Sequence, residues 1–142
     1  MKKSILSLVA FIALSFTAFN AEAQTTYRSY TDSFGNTTIT GSNGYRSTSR
    51  TDSFGNTTTT TNNGVTYNTR TDSFGNTTTT GSNGYRSTSR TDSFGNTTTR
   101  TNTGVTYNSR TDSFGNTTTT GSNGYRSTSR TDSFGNTTIR TW

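Results

Sequence analysis

The chain has 142 residues, of which 13 are Lys or Arg and 7 are Asp or Glu, giving a net charge of +6. It contains no Cys, no His and no Pro. These absences exclude disulfide bonds and the usual ligands of transition metals. Catalysis by an acid, a base or a nucleophile would depend on Asp, Ser, Thr or Tyr alone. We therefore expect no cofactor and no enzymatic activity.

Residues 1–23 carry the features of a secretory signal peptide. Two lysines precede an apolar run, and small residues form a cleavage site that ends at Ala23. The apolar run is shorter than the ~20 residues that a membrane-spanning helix needs. The sequence predicts cleavage after Ala23 and a secreted or cell-surface mature chain, residues 24–142, without a further membrane span.

The mature chain is organised around the eight-residue sequence TDSFGNTT. Its copies recur with a constant period and begin at Thr31, Thr51, Thr71, Thr91, Thr111 and Thr131. The segments between them alternate between two forms, GSNGYRSTSR and TNNGVTYNTR or its close variant, which produces a 40-residue super-period. Residues 24–30 read as a divergent half-repeat. Because the period is constant, we predict a single repeat domain, 24–142, made of six 20-residue units.

Two turn signals fall in each unit. Asn-Gly pairs, such as Asn43-Gly44 and Asn63-Gly64, favour type I′ turns, and the Gly-Asn pair of TDSFGNTT favours a type II′ turn. The glycines of the second signal are Gly35, Gly55, Gly75, Gly95, Gly115 and Gly135. Thr103 replaces the Asn once, so we expect a weaker or different turn there. The Thr-, Tyr- and Ser-rich runs between the turns favour strands, which predicts an all-β fold.

The substituted strand positions predict which face is buried. Ile39 and Ile139 replace Thr at odd-numbered positions, whereas Arg100 and Arg140 replace Thr at even-numbered positions. Successive side chains of a strand point to opposite faces. The odd positions should therefore lie inside and the even positions outside.

Two topologies fit this repeat. In a hairpin meander, adjacent strands pair within the unit, and two-residue turns would shift the register by about four residues per repeat. In a β-solenoid, each unit is one coil stacked on the next at about 4.7–4.9 Å. The constant period favours stacking, so we predict a β-solenoid or cross-β stack of six strand–turn–strand units. The low apolar content also permits a disordered chain.

Stacked units would place equivalent residues in columns that support assembly. One predicted ladder consists of Phe34, Phe54, Phe74, Phe94, Phe114 and Phe134. The other consists of Asn36, Asn56, Asn76, Asn96, Asn116 and Asn136. Residues of the atypical ends, namely Tyr27, Tyr30 and Trp142, are predicted to act as caps or docking sites.

An exported, Cys-free array of strand–turn–strand units with Gly and Asn turns resembles the curli-type functional amyloid subunits. Residues 52–56, Asp-Ser-Phe-Gly-Asn, also make the array similar, more weakly, to YD repeats, whose core is D-x-x-G-N. The resemblance to curli-type subunits implies a secreted structural protein that self-assembles into an extracellular fibre or surface matrix. Its partners would be further copies of itself and an export or nucleator protein.

The alternative is a monomeric β-solenoid that binds ice, glycans or surfaces. Pairs of Thr two residues apart, such as Thr58 and Thr60, are similar to the Thr arrays of some ice-binding solenoids. Arg interleaved with aromatic residues is also compatible with nucleic acid, but the signal peptide argues against nucleic acid as the main partner.

Overall fold

The computed structural model describes residues 25–142, and the predicted signal peptide lies outside the described residues. The strands are β1 (Thr26–Thr31), β2 (Thr37–Gly41), β3 (Arg46–Thr51), β4 (Thr57–Thr61), β5 (Thr66–Thr71), β6 (Thr77–Gly81), β7 (Arg86–Thr91), β8 (Thr97–Thr101), β9 (Thr106–Thr111), β10 (Thr117–Gly121), β11 (Arg126–Thr131) and β12 (Thr137–Thr141). The predicted all-β class and the repeated strand–turn units are confirmed.

The twelve strands form one closed antiparallel barrel in chain order, in which β1 pairs with β12. The predicted solenoid is therefore wrong, because each strand pairs with its chain neighbours and the sheet closes on itself. Equivalent residues of successive units lie two strands apart, at about 10 Å, and are not stacked at one strand spacing.

The register explains how the barrel closes. Ser29 lies opposite Ile39, and Ile39 lies opposite Ser47 on its other side. The residue equivalent to Ser29 in the next repeat is not Ser47 but Ser49. Each unit is thus displaced by two residues from the previous one, which is the stagger that a tilted, closed barrel requires. The predicted shift is too large because two-residue turns give a different register from the loops that the structure contains.

Residues 25–30 are a complete part of this arrangement. Tyr27 occupies the position in β1 that Tyr67 occupies in β5 and Tyr107 occupies in β9. The segment supplies one strand, which is half of a two-strand unit, and this strand pairs with both β2 and β12.

The predicted alternation between the two faces is confirmed. The inward positions hold Tyr, Ser, Thr and Ile, and side chains such as Ser47 and Thr59 are only 1% and 2% exposed. The outward positions hold Thr, Asn and Arg, and all arginines of residues 25–142 are exposed. The barrel therefore has a largely hydroxyl-lined interior and a polar wall.

Tyrosines fill one end of the interior. The rings of Tyr27 and Tyr45 meet edge to face with centroids 5.9 Å apart. The same contact recurs one super-period later between Tyr67 and Tyr85 at 5.8 Å, and again between Tyr107 and Tyr125 at 5.7 Å. Such pairs contribute about 0.5–1.5 kcal/mol beyond the burial of their surface.

The tyrosine pairs also influence each other around the barrel. Burial raises the pKa of Tyr125 to about 12, the neighbouring Ser127 hydroxyl opposes this effect, and Tyr27 and Tyr107 add to it. Tyr125 thus lies near tyrosines of both the preceding repeat and the first strand. Besides burial, Tyr67 likewise raises the pKa of Tyr45, and Tyr107 raises that of Tyr85, so each pair influences the next around this end of the interior. We call these six tyrosines the tyrosine ring.

Hydroxyl groups pair across neighbouring strands through the middle of the interior. The hydroxyls of Ser49 and Thr59 are 2.8 Å apart, and Ser89 and Thr99 repeat this contact at 2.8 Å. Since buried polar groups are costly only when unpaired, these bonds allow a core with few apolar side chains. Ile39 and Ile139, which are 1% and 2% exposed, lie on the two strands that flank β1.

The 40-residue super-period reflects the fit of large and small residues. Tyr67 in β5 lies opposite Gly81 in β6, whereas Ser47 in β3 lies opposite Thr61 in β4. A Cβ atom on Gly81 would lie 2.8 Å from Tyr67 Cε1. One form of the unit therefore pairs a tyrosine with a glycine, and the other pairs a serine with a threonine.

Candidate functional site

Six copies of the loop Asp-Ser-Phe-Gly-Asn form one rim of the barrel, between β1 and β2 and at each equivalent hairpin. In the first copy, the Gly35 N–H donates to the Asp32 carbonyl at 3.1 Å, and the Asp32 N–H donates to the Asn36 carbonyl at 2.9 Å. Gly35 has a φ of 81°, the left-handed conformation that favours glycine. The turn is thus centred on Ser33 and Phe34, with glycine after it.

This geometry corrects both predicted turn types. A type II′ turn would have placed Gly35 and Asn36 at its centre, but the turn lies earlier and the loop has three residues. At the opposite rim, the Gly44 N–H donates to the Gly41 carbonyl at 3.1 Å, so Asn43 and Gly44 are not the two central residues of a type I′ turn. Three-residue loops with a glycine in the last position are a common hairpin connection.

The expectation of a different turn at Thr103 is also wrong. The Gly104 N–H donates to the Thr101 carbonyl at 3.1 Å, and Gly104 has a φ of 84°, as in the other units. The Thr101 hydroxyl contacts the Thr103 hydroxyl at 2.8 Å and accepts from the Val105 N–H at 3.2 Å. Thr103 therefore replaces Asn without changing the loop.

The Asp carboxylate organises each loop of the first rim. Asp52 Oδ1 accepts hydrogen bonds from the N–H groups of Phe54 and Asn56, both at 2.9 Å. Its Oδ2 accepts from Asn56 Nδ2 at 3.0 Å. All six loops repeat these three bonds, so the Asn side chains close loops instead of forming the predicted ladder within the chain.

These hydrogen bonds lower the pKa of every loop carboxyl group below its ordinary value. The largest cause is the Asn side chain at five loops, as for Asp52, and the backbone N–H of Asn136 at Asp132. Arg70 lowers the pKa of Asp52 further through its charge. The carboxylates thus serve as acceptors within the loops.

The Phe side chains point into solvent at the tips of the loops. Their exposed fractions are 88–89% for Phe34, Phe54, Phe74, Phe94, Phe114 and Phe134. The structure therefore brings the predicted Phe ladder residues to one rim, but it does not stack them in a column. We call this ring of six loop tips the Phe rim.

Positive charge lies directly behind the Phe rim on the outer wall. The position two residues before each Asp is an exposed Arg in five units and the exposed Tyr30 in the first. These arginines are Arg50, Arg70, Arg90, Arg110 and Arg130. We call these five arginines and Tyr30 the collar.

The opposite rim is polar, and hydrogen bonds connect its loops. Asn62 Nδ2 donates to the Gly44 carbonyl at 3.0 Å, and the Thr26 N–H donates to the Ser42 hydroxyl at 3.2 Å. Adjacent loops are thus joined to neighbouring elements. Trp142 follows β12 on this side and is 55% exposed.

The three predicted terminal residues have different surroundings. Tyr27 is only 6% exposed and belongs to the tyrosine ring, whereas Tyr30 is 61% exposed on the wall.

The outward Thr pairs lie around a closed barrel, which does not offer the single flat Thr array of an ice-binding solenoid. Sequence reasoning missed the loop closure by Asp, although Asp at the first and Gly at the fourth position of a turn indicate a type I turn.

Residues 25–142 contain no cluster of three or more acidic, His or Cys side chains that could hold a metal ion. Within the same residues, no helix has the length and apolar character to span a membrane. No family model, no curated protein and no solved structure matches this chain.

Proposed function

We propose that this protein is a secreted, non-enzymatic binding module that attaches to a surface through its Phe rim. The observation that carries this proposal is the exposure of the six loop-tip Phe side chains, each 88–89% exposed on the same rim. An apolar side chain at a rigid, hydrogen-bonded loop tip gains little for folding. Such a side chain can instead be buried against a binding partner.

The amount of exposed aromatic surface supports a binding role. A Phe side chain buries about 150–250 Å² when it is fully covered, so six of them offer roughly 1,000 Å². The largest apolar patch on an ordinary monomer is about 300–600 Å². Six weak contacts on one rigid scaffold also reinforce each other, because the later contacts form at high effective concentration.

The arrangement of polar groups supports a non-enzymatic role. The Asp carboxylates, which are the only acidic side chains of residues 25–142, are engaged by the N–H groups of their own loops. Their lowered pKa values make them poor proton acceptors. Five tyrosines of the ring are buried and Tyr85 is partly buried, and burial raises the pKa values of Tyr27, Tyr45, Tyr85 and Tyr125.

Self-assembly into a fibre or surface matrix is the second candidate, and the same Phe rim favours it. Within residues 25–142, barrel closure leaves no free strand edge of the kind that templates cross-β growth. Assembly would therefore proceed through contacts between rims, with further copies of the chain as the partner.

The test compares the protein with two variants that carry six changes each. One variant has Phe→Ser at positions 34, 54, 74, 94, 114 and 134. The matched control has Ser→Ala at positions 33, 53, 73, 93, 113 and 133, which lie in the same loops. Binding to immobilised glycans, lipid vesicles and bacterial surfaces is measured with circular dichroism as the folding check.

We expect the Phe variant to fold and to lose binding, and the Ser control to keep it. Equal binding by the two variants on every surface would overturn the proposal. Sedimentation velocity at micromolar concentration separates the second candidate, because assembly through the rims predicts oligomers that disappear in the Phe variant.

A further inference from the structure

We propose that the surface recognised by the Phe rim is a phospholipid bilayer. This inference rests on the proposed function and names its partner. In the docked state, the Phe side chains enter the boundary between headgroups and acyl chains, and the collar arginines lie at the level of the phosphates.

The spacing between the collar and the Phe rim fits this depth. Arg50 lies two residues before Asp52, at the base of the loop, and Phe54 lies two residues beyond it. At about 3.3 Å per strand residue, the Arg backbone lies roughly 7 Å behind the loop base. Apolar groups of interfacial proteins enter the headgroup region by about 5–10 Å. A guanidinium at this height reaches the phosphates while the ring beyond it reaches the acyl chains.

The residue types of the collar suit the same interface. Arginine binds phosphate through several N–H donors, and tyrosine is enriched where membrane meets water. Tyr30, which is 61% exposed, takes the place of the sixth arginine. The collar therefore has an interfacial residue at every repeat.

The balance of charge also permits an anionic bilayer. Residues 24–142 carry eleven Arg and six Asp, without Lys or Glu, and are basic as a whole, although the Phe-rim end holds all six Asp and only the five collar Arg. Each Asp faces the N–H groups of its own loop, including two at 2.9 Å in the second loop. Basic groups near an anionic leaflet strengthen binding to it.

A glycan fits the loop tips less well. Sugar sites combine an aromatic ring with convergent polar groups that fix the ligand. Here the Asp and Asn side chains bond to each other, as at Asp72 and Asn76 with 2.9 Å between Oδ2 and Nδ2. The tip presents a phenyl ring and one Ser hydroxyl, which favours an apolar partner.

The experiment uses protein purified after export of the full chain. Binding is measured by co-sedimentation with vesicles of phosphatidylcholine alone and with vesicles of phosphatidylcholine mixed with phosphatidylserine. We expect the six-site Phe→Ser variant to bind at least ~100-fold more weakly to both vesicles. Arg→Gln at positions 50, 70, 90, 110 and 130 should remove most of the dependence on phosphatidylserine. The six-site Ser→Ala control should bind as the parent does.

Depth is read from a single tryptophan at a loop tip. Phe54→Trp in a Trp142→Phe background should show a blue-shifted emission and quenching by lipids brominated on the acyl chain. The parent, whose only tryptophan is Trp142 at the opposite rim, should show neither. Absence of quenching at position 54, or equal vesicle binding by the Phe→Ser variant, would overturn the inference.

The same panel separates the two proposals. If the protein does not bind vesicles but binds glycans or cell surfaces in a Phe-dependent way, only the bilayer inference fails. If no surface shows Phe-dependent binding, both proposals fail.

Discussion

Gly81 offers the sharpest test of the packing, because its size and not its backbone conformation makes it necessary. Unlike the turn glycines, it has no positive φ, and it lies in β6 opposite Tyr67 of β5. An added Cβ would lie 2.5 Å from Asn83 Oδ1, 2.8 Å from Tyr67 Cε1 and 3.0 Å from Tyr67 Cδ1. Tyr67 itself is held edge to face against Tyr85 with centroids 5.8 Å apart, so it has little room to move.

We therefore expect Gly81→Ala to lower the free energy of unfolding by roughly 1–3 kcal/mol, the usual range for overpacking a core. Urea unfolding followed by circular dichroism measures this change. Gly81→Thr should cost more in the parent, but little in a Tyr67→Ser background, because Ser opposite Thr is the pair that Ser47 and Thr61 form naturally. Contacting residues show coupling of about 0.5–3 kcal/mol. A neutral Gly81→Ala, or an equal cost of Gly81→Thr in both backgrounds, would refute this packing argument.

Two further predictions concern the loops and the strand closure. The folded-state pKa of each loop Asp lies below its unfolded value, so its stabilising effect is present above about pH 4 and is lost as the pH falls through the folded pKa. The urea concentration at the midpoint of unfolding should therefore fall between pH 6 and pH 2.5. A variant with Asp→Asn in all six loops should show a weaker dependence of this midpoint on pH. An equally steep slope in that variant would contradict the assignment. Ile139→Thr, at a side chain that is 2% exposed, should cost roughly 1–3 kcal/mol, whereas Thr138→Ala on the outer face should change stability by less than about 0.5 kcal/mol. Similar costs for the two would place Ile139 outside the core.

The repeat and the alternation were enough to predict the strands and their faces. Ile at odd positions and Arg at even positions indicate directly which face is buried, since few structures tolerate a buried Arg face and an exposed Ile face. The same signals do not depend on how the strands are connected in space, so they could not distinguish a closed meander from a stack.

The closed barrel depends on the loop register, which the dipeptide signals misplace. The Asn-Gly and Gly-Asn pairs favour two-residue turns, but the side chains of Asp32 and Asn43 accept N–H groups two residues later and stabilise turns that begin earlier. The resulting three-residue loops reduce the displacement to two residues per repeat. Barrel closure follows from this small displacement between successive units, and the sequence pattern does not indicate its size.

The Phe residues do not form the predicted column for a related reason. That column required units stacked at one strand spacing, and the units of the barrel are not stacked in this way. Phe54 instead follows Asp52 in a turn that directs its side chain away from both strands, and it remains 88% exposed. Burial is supplied by the tyrosine ring and by paired hydroxyls, which no apolar pattern in the sequence indicates.

Closure between the first and last strands is the central structural claim, and engineered cysteines test it in a chain that has none. Arg28 in β1 lies directly opposite Thr138 in β12, both on the outer face. Directly opposed strand residues lie about 4.5–5.5 Å apart between Cα atoms, which suits a disulfide. The control pair joins Arg28→Cys to Thr98→Cys in β8, which is not a neighbour of β1.

The decisive measurement is the disulfide state of Arg28→Cys/Thr138→Cys after oxidation at low protein concentration, read by mass spectrometry and non-reducing electrophoresis. A closed barrel predicts an intramolecular disulfide in a monomer for this pair and not for the control pair. Exclusive formation of intermolecular disulfides, or equal reaction of the two pairs, would contradict the barrel.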